Sequence, residues 1–204
     1  MAQLGFIINL DSCMDLRGCM TACKRYKDTP MGVYNLECFT NIAGKYPDAQ
    51  GYFIPIPCQQ CTKPSCVPSC PKDALVKNDS GVIVIVDQEL CLDCADKPCV
   101  AACPYGGISV DKASGKAFKC DMCEDFLAQD KKPACVGGCL TGSWYYGDFD
   151  DPESKVSQIL VDYPDEYLFQ LKPETGNEPN VYYLLSRQPW NDMNRLYTQI
   201  WHED

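Results

Sequence analysis

Residues 58–70 read CQQCTKPSCVPSC, and residues 91–103 read CLDCADKPCVAAC. In both stretches the cysteines follow the spacing C-x2-C-x4-C-x3-C, and a proline comes directly after the last one, at Pro71 and Pro104. Soft thiolates spaced in this way can bind different iron atoms of one cluster. Two copies of the same run therefore predict a pair of iron–sulfur sites around which the chain is organised.

The spacing also predicts which cysteines share a cluster in these two inner runs. The bacterial ferredoxin run has x2 where this chain has x4, and its fourth cysteine ligates the other cluster. Here the fourth cysteine lies about one helical turn beyond the third, so it points towards a neighbouring cluster. Crossed ligation assigns one cluster to Cys58, Cys61, Cys66 and Cys103. It assigns a second cluster to Cys91, Cys94, Cys99 and Cys70.

Two less regular outer runs flank this pair. The first, at residues 13–23, has Leu16 where a C-x2-C-x2-C-x3-C run places its second cysteine. The other, at residues 120–139, has the spacing x2, x11 and x3, and Leu140 replaces the closing proline. Pairing the outer runs assigns a third cluster to Cys120, Cys123, Cys135 and Cys23. The last site keeps three thiolates, those of Cys13, Cys19 and Cys139.

The incomplete site bears on the cofactors. We expect three [4Fe–4S] clusters and, because leucine cannot coordinate iron, a [3Fe–4S] cluster at the last site. The alternative there is a [4Fe–4S] cluster whose fourth corner takes Asp15, Cys38, water or a ligand from a partner. Cys38 stands alone in the segment 24–57, where prolines and glycines predict loops. We expect it to be a buried free thiol, with a substitute ligand as the alternative.

The segments between the runs predict short strands and hairpins. Residues 4–10 form an apolar stretch typical of a buried strand, and residues 82–86 are β-branched after a turn at 78–81. The sequence after Cys103 repeats this pattern, so each unit joins a cluster loop, a short helix and a hairpin. Residues 152–161 predict a helix that begins near Asp151 and Pro152.

Composition argues against other kinds of site. The 204 residues include 16 cysteines but one histidine, His202, which disfavours histidine-ligated zinc, Rieske or copper centres. No C-x-x-C-H occurs, so covalent haem attachment is not expected. Disulfides are disfavoured because C-x-x-C recurs and no signal peptide is recognisable. Structural zinc sites use two separated C-x-x-C pairs and do not need the x3-C-P closure.

Charge and hydropathy limit the expected partners and location. The formal net charge of −10 predicts a surface that repels nucleic acid. No apolar run approaches about 18 residues, so we expect no membrane span. The N-terminal sequence MAQLGFIINLDSC lacks the regions of a signal peptide. We therefore expect a cytoplasmic protein, or one exported as the passenger of a signal-bearing catalytic partner.

The segment after Cys139 holds no cysteine but many aromatic residues. They are Trp144 to Tyr146, Tyr182, Tyr183, Trp190, Tyr197 and Trp201. We expect ordinary packing of these rings over the cluster core. Anchors in a subunit interface are the alternative, since Tyr and Trp are enriched there.

The four runs, their order and the C-P closures resemble the electron-transfer iron–sulfur subunits of the molybdopterin oxidoreductase family, of the dimethyl-sulfoxide-reductase type. That group includes the small subunits of polysulfide, tetrathionate, arsenate and nitrate reductases and of pyrogallol transhydroxylase. The resemblance covers residues 5 to about 185. It extends to GDFDDPESKVSQIL, which ends at residue 160, and to LKPETGNEPNVYYL at residues 171–184.

The resemblance implies an α+β fold of two nested ferredoxin-like βαββαβ units that bind four clusters, with an extended C-terminal tail. The implied division is an outer unit at 1–50 and 105–145, an inner unit at 51–104, and a tail at 146–204 that packs on the core and the partner. It also implies a large catalytic partner with a molybdenum or tungsten pterin centre. The cluster of Cys13, Cys19 and Cys139 would face that partner.

The function implied is electron transfer through the clusters to or from the catalytic subunit, with no catalytic residue in this chain. A membrane quinol subunit or a soluble redox protein would be a further electron donor or acceptor. The alternative is a freestanding polyferredoxin, or the electron-transfer subunit of a hydrogenase, formate dehydrogenase or tungsten aldehyde oxidoreductase complex.

Overall fold

A computed structural model describes residues 2–43, 45–190 and 196–197. The fold is mixed α/β, with short elements joined by the cysteine loops. Its strands are β1 (Leu4–Asn9), β2 (Leu36–Ala43), β3 (Gln50–Pro57), β4 (Leu75–Lys77), β5 (Ile83–Ile85), β6 (Ile108–Val110), β7 (Ala117–Lys119), β8 (Trp144–Asp148), β9 (Leu168–Phe169), β10 (Val181–Leu184) and β11 (Leu196–Tyr197). Its α-helices are α1 (Gly18–Tyr26), α2 (Pro98–Ala102), α3 (Glu124–Leu127), α4 (Ala134–Gly137) and α5 (Lys155–Asp162).

The largest sheet has the order β8-β1-β10-β9. Strand β1 lies inside it, antiparallel to β8 and parallel to β10. Phe6, Ile7 and Ile8 are fully buried on β1, because one face meets the cysteine core and the other meets α5. The predicted strand at 4–10 is confirmed, and its pairing with β8 joins the beginning of the chain to the end of the last cysteine run.

The repeated hairpins predicted after the inner runs are present as β4–β5 and β6–β7. In the first, the amide of Gly81 donates to the Asn78 carbonyl, and Gly81 has the positive φ (73°) that such a turn favours. In the second, the amide of Gly115 donates to the Asp111 carbonyl. The repeat seen in the sequence is therefore also a repeat in the structure.

The prediction that the segment 24–57 is made of loops is wrong for much of its length. Strands β2 and β3 form an antiparallel hairpin whose register runs from Leu36 opposite Pro57 to Ala43 opposite Gln50. Pro30, Gly32 and Pro47, on which that prediction partly rested, do lie in loops or turns, but these are outside the two strands. The prolines within β3 are compatible with a strand because β3 is at the edge of the order β11-β2-β3. An edge strand tolerates a residue without an N–H group.

The C-terminal segment packs back onto the core. Helix α5 begins later than predicted, because the Ser154 hydroxyl accepts a hydrogen bond from the Ser157 amide and caps the helix. The ring of Trp190 stacks on Phe169 at a centroid distance of 4.8 Å, and Trp144 meets Phe6 edge-on at 5.3 Å. Packing is therefore confirmed for these two tryptophans, whereas Trp201 and His202 lie outside the described residues. Within the described ranges, no helix is long and apolar enough to cross a membrane.

Candidate iron–sulfur sites

The outer cysteine runs meet where α1 packs against α4. The contact is close because α1 begins at Gly18 and Gly138 directly follows α4. A methyl group at Gly138 would lie 2.5 Å from the Ala22 Cβ, and one at Gly18 would collide with the Gly138 carbonyl. Cys19 and Cys23 lie on α1, and Cys135 lies on α4. The glycines therefore bring the thiols of the two outer runs together.

The first set of neighbouring thiols, here called the Cys58 group, contains Cys58, Cys61, Cys66 and Cys103. Burial, and then the adjacent Cys58 and Cys103 thiols, raise the pKa of Cys61 to about 12, and the pKa of Cys66 rises to about 12 for the same reasons. Cys103 comes from the other inner run, so the structure places it where crossed ligation predicts.

The second set, the Cys91 group, contains Cys70, Cys91, Cys94 and Cys99. All four line one cavity, together with Lys72 and Lys97. Burial, followed by the Cys70, Cys91 and Cys94 thiols, raises the pKa of Cys99. Cys70 of the first inner run therefore lies with three thiols of the second inner run, and Cys103 of the second lies with three thiols of the first.

The third set, the Cys120 group, contains Cys23, Cys120, Cys123 and Cys135. Burial raises the pKa of Cys120 and of Cys135 well above the ordinary value of a thiol. Burial, with Cys123 next, raises the pKa of Cys23 to about 12. Three of these thiols belong to the run at residues 120–139, and the fourth, Cys23, belongs to the run at residues 13–23.

The fourth set, the Cys13 group, contains Cys13, Cys19 and Cys139. Burial raises the pKa of Cys13, and Cys19 and Cys139 add to this effect. Burial would also raise the pKa of Cys139, but hydrogen bonds from the Thr141 hydroxyl and the Ser143 amide outweigh it and lower the pKa. Leu16, at the position of the missing cysteine, is 54% exposed.

The four groups are neighbours in a row. Cys19 of the Cys13 group affects the pKa of Cys135 in the Cys120 group. Cys58 in turn affects the pKa of Cys120. The Cys58 and Cys91 groups are linked because Cys66 and Cys70 stand on one short loop but belong to different groups.

These thiol groups fit iron–sulfur clusters better than single metal ions. Within the described ranges, no three His, Cys, Asp or Glu side chains converge closely enough to hold one ion. Thiolates of a cluster bind different iron atoms and stand further apart than ligands of one ion. Burial raises the pKa of Cys23, Cys61, Cys66, Cys120 and Cys135, and a bound metal supplies the positive charge that releases the protons of such thiols.

Groups other than cysteine also lie near the sulfur atoms, and their positions do not follow from the spacing of the cysteines. Backbone amides of Gly107 and Ser143 donate to the Sγ atoms of Cys103 and Cys139, both at 3.3 Å. Lys119 is buried, and its Nζ lies 2.7 Å from the Cys120 carbonyl oxygen. Its positive charge opposes the effect of burial on thiols of two groups: it acts to lower the pKa of Cys66 and Cys103 in the Cys58 group and of Cys120 in the Cys120 group. In the sequence, the signal that could have identified Lys119 is its position directly before the C-x-x-C motif that starts at Cys120.

Comparison with known proteins shows which family the chain belongs to. A family model described as a 4Fe-4S dicluster domain matches residues 49–149. The chain is 32% identical to the B subunit of sulfite dehydrogenase from Allochromatium vinosum, over 92% of this chain and 85% of that protein. It is 33% identical to the B subunit of tetrathionate reductase from Salmonella typhimurium, over 89% and 72% of the two proteins. It is 31% identical to the B component of the anaerobic dimethyl sulfoxide reductase of Escherichia coli, over 88% and 90%.

Proposed function

Because this chain belongs to the family of iron–sulfur electron-transfer subunits of molybdopterin oxidoreductases, we propose that it carries electrons along four clusters to or from a large catalytic subunit. The observation that supports this most strongly is the row of four thiol groups. Bound clusters supply one-electron oxidation and reduction. The protein's own residues hold, separate and bury them.

The proposed ligands are the cysteines of the four groups. Three [4Fe–4S] clusters are assigned to the Cys58, Cys91 and Cys120 groups, each of which contributes four thiols. The Cys13 group would hold the fourth cluster with three thiols from the runs. On the runs alone this site favours [3Fe–4S], or otherwise [4Fe–4S] with a ligand from elsewhere.

Other residues would set the reduction potential of each cluster. An N–H group that donates to sulfur stabilises the more negative, reduced state and raises the potential. Gly107 and Ser143 are placed to do this for the Cys58 and Cys13 groups. The Lys119 ammonium would act in the same direction from between the Cys58 and Cys120 groups.

We assign the fold to two nested ferredoxin-like units. The α1–α4 contact and the β1–β8 pairing support an outer unit formed from residues 1–50 and 105–145. The hairpin β4–β5 belongs to an inner unit at 51–104, with the tail at 146–204. Hairpin β2–β3 crosses the boundary at residue 50 and would tie the units together.

The catalytic partner would dock beside the Cys13 group. Three apolar side chains next to its members are exposed: Met14 is 66% exposed, Leu16 54% and Leu140 83%. Exposed apolar side chains of this kind are typical of an interaction surface when they lie together on the surface. A quinol-linked subunit or soluble redox protein would exchange electrons at the Cys91 group, the other end of the row. The protein would work in the cytoplasm, or outside it as a passenger of an exported partner.

Anaerobic purification of the native material tests the proposal. We expect a stable complex with a large pterin-bearing chain, broad visible absorption, and about 15 or 16 iron atoms per copy of this chain. An isolated 22.8 kDa iron protein would favour a freestanding polyferredoxin over a subunit. Colourless protein that contains zinc, or a chain with cross-linked cysteines, would overturn the iron–sulfur assignment altogether.

A further inference from the structure

We propose that Cys38, which lies outside all four runs, is the fourth thiolate ligand of the Cys13 group and makes its cluster [4Fe–4S]. This inference rests on the proposed function, since it assumes that the Cys13 group holds a cluster. It goes beyond that function by replacing the three-iron cluster that the first run alone favours. It assigns a ligand that comes from a strand and not from a cysteine run.

The first observation is where the thiol of Cys38 lies. Its Sγ is 3.8 Å from the Sγ of Cys19, a proposed ligand. Cys13 and Asp15 are its next ionisable neighbours, so Cys38 has entered the same pocket as the rest of the Cys13 group. A free thiol that merely fills a core would need no contact with a ligand sulfur.

The second observation is how the chain places it there. Side chains alternate across a strand, and on β2 both Leu36 and Cys38 point inward, where they are 3% and 9% exposed. Helix α1, which carries Cys19, packs on this strand. On its other side, β2 is fixed by pairing with β3, where Cys38 lies opposite Pro55. A paired strand supplies the rigid support that a ligand needs.

The third observation concerns the competing ligands. Leu16 has no donor atom and is largely exposed, so it does not close the open corner. The carboxylate of Asp15 is engaged by the guanidinium of Arg17, whose Nε and an Nη atom both lie 3.2 Å from its oxygens. That ion pair would have to break before Asp15 could bind iron, whereas Cys38 needs no ion pair to break and binds as a thiolate once it has lost its proton.

The inventory of cysteines supports the same assignment. The four groups account for fifteen of the sixteen cysteines, and Cys38 is the remaining one. With Cys38 included, every group has the four thiolates that a [4Fe–4S] cluster takes. Thiolates on different iron atoms stand further apart than 3.8 Å, so Cys19 or Cys38 must rotate about its side-chain bonds when the cluster binds.

The test uses the anaerobically purified complex with its catalytic subunit, and compares wild type with Cys38→Ala and Leu36→Val. Leu36 is the matched control because it points inward from the same strand but has no donor atom. In wild type we expect no three-iron EPR signal after oxidation. In Cys38→Ala we expect a three-iron signal of about one spin per chain and a loss of about one iron atom. Leu36→Val should match wild type.

A rescue variant keeps the proposal testable even if Cys38→Ala folds poorly. The double variant Leu16→Cys/Cys38→Ala restores the complete ferredoxin spacing in the first run. We expect it to regain the lost iron and to lose the three-iron signal. A wild-type protein that already shows the full three-iron signal, unchanged by Cys38→Ala, would overturn the ligand assignment while leaving the electron-transfer function standing. Zinc in place of iron would instead overturn the function itself.

Discussion

The inner runs, residues 58–70 and 91–103, have identical spacing, whereas the outer runs, residues 13–23 and 120–139, match neither the inner runs nor each other. In the inner pair, each run contributes three thiols to one group and a fourth to its neighbour, and a hairpin follows directly. The outer pair is assembled by contacts far apart in the sequence, namely α1 against α4 and β1 against β8. Local spacing is therefore sufficient for the inner sites, while the outer sites depend on tertiary structure.

The largest effect should come from disrupting the contact between α1 and α4 at Gly138. In Gly138→Ala the new methyl group meets the Ala22 Cβ and the Gly18 carbonyl, so α1 and α4 must separate. Overpacking of this kind costs about 1–3 kcal/mol. We expect loss of the clusters of the Cys13 and Cys120 groups, about half of the total iron, with the inner clusters retained.

Iron analysis and EPR of the reduced protein measure this outcome. Gly137→Ala is the matched control, because a methyl group at that neighbouring position meets nothing within 4 Å. We expect Gly137→Ala to keep its full iron content. If Gly138→Ala kept all of its iron as well, close helix packing would not be what assembles the outer sites.

A smaller effect, on one cluster, should follow from removing a crossing thiol of the inner pair. Cys103→Ala changes the run 91–103, yet we expect it to damage the cluster of the Cys58 group, in which Cys103 lies. The cluster of the Cys91 group should survive, because its fourth thiol is Cys70.

Double variants separate crossed from uncrossed ligation through their additivity. Cys58→Ala/Cys103→Ala should lose no more than one cluster, because both thiols belong to one group. Cys91→Ala/Cys103→Ala should lose two, although both thiols come from one run. The reverse order of iron loss would show that each run holds its own cluster.

Lys119 tests whether the inner and outer clusters influence each other. Its buried ammonium lies at the boundary between the Cys58 and Cys120 groups. Loss of that positive charge in Lys119→Met disfavours reduction, so we expect potentials of the adjacent clusters to fall by about 60 mV, a tenfold change in a one-electron equilibrium. Redox titration followed by EPR measures the shift. The control Lys116→Met removes a more exposed charge paired with Glu89, and equal shifts in both variants would exclude a specific role for Lys119.

The grouping of the inner thiols could be predicted because it follows from short spacings along the sequence, and the same is true of the hairpin turn at Asn78–Gly81. Strand β1 was predictable from its unbroken apolar stretch. Hairpin β2–β3 was missed because the loop signals at Pro30 and Pro47, which lie on either side of β2, were extended to the whole segment between them and beyond. Leu36 and Cys38 are two residues apart and both point inward. This spacing of buried residues is the signal that could have predicted strand β2.

Other features of the site could not be predicted from spacing. The 3.8 Å approach of Cys38 to Cys19 depends on how α1 packs against β2. The position of Lys119 between two groups depends on how the hairpin β6–β7 packs against β5, where Lys119 donates a hydrogen bond to the Ile83 carbonyl. Both contacts join residues that are far apart in the sequence, so they cannot be predicted from the spacing of residues along the chain.

The smallest effect concerns the ion pairs between the end of α1 and the segment that contains α3. Lys27 lies 2.8 Å from Asp121 and 3.4 Å from Asp125, and the Tyr26 hydroxyl also donates to Asp125. That hydroxyl, with Lys27 assisting, lowers the pKa of Asp125. Because Asp125 is exposed, we expect Asp125→Asn to lower the stability by less than about 1 kcal/mol.

The pH dependence of this loss follows from the direction of the pKa shift. A carboxylate with a lowered folded pKa stabilises the protein above its unfolded pKa, and this contribution is lost as the pH falls through the folded pKa. The melting-temperature difference between wild type and Asp125→Asn should therefore stay constant from about pH 6 to pH 9, where Asp125 is ionised in both states. The control Asp130→Asn removes the same formal charge from an exposed position beyond the end of α3, and should leave the melting temperature unchanged. A difference that varied within this window would mean that a group other than Asp125 controls the contact between α1 and α3.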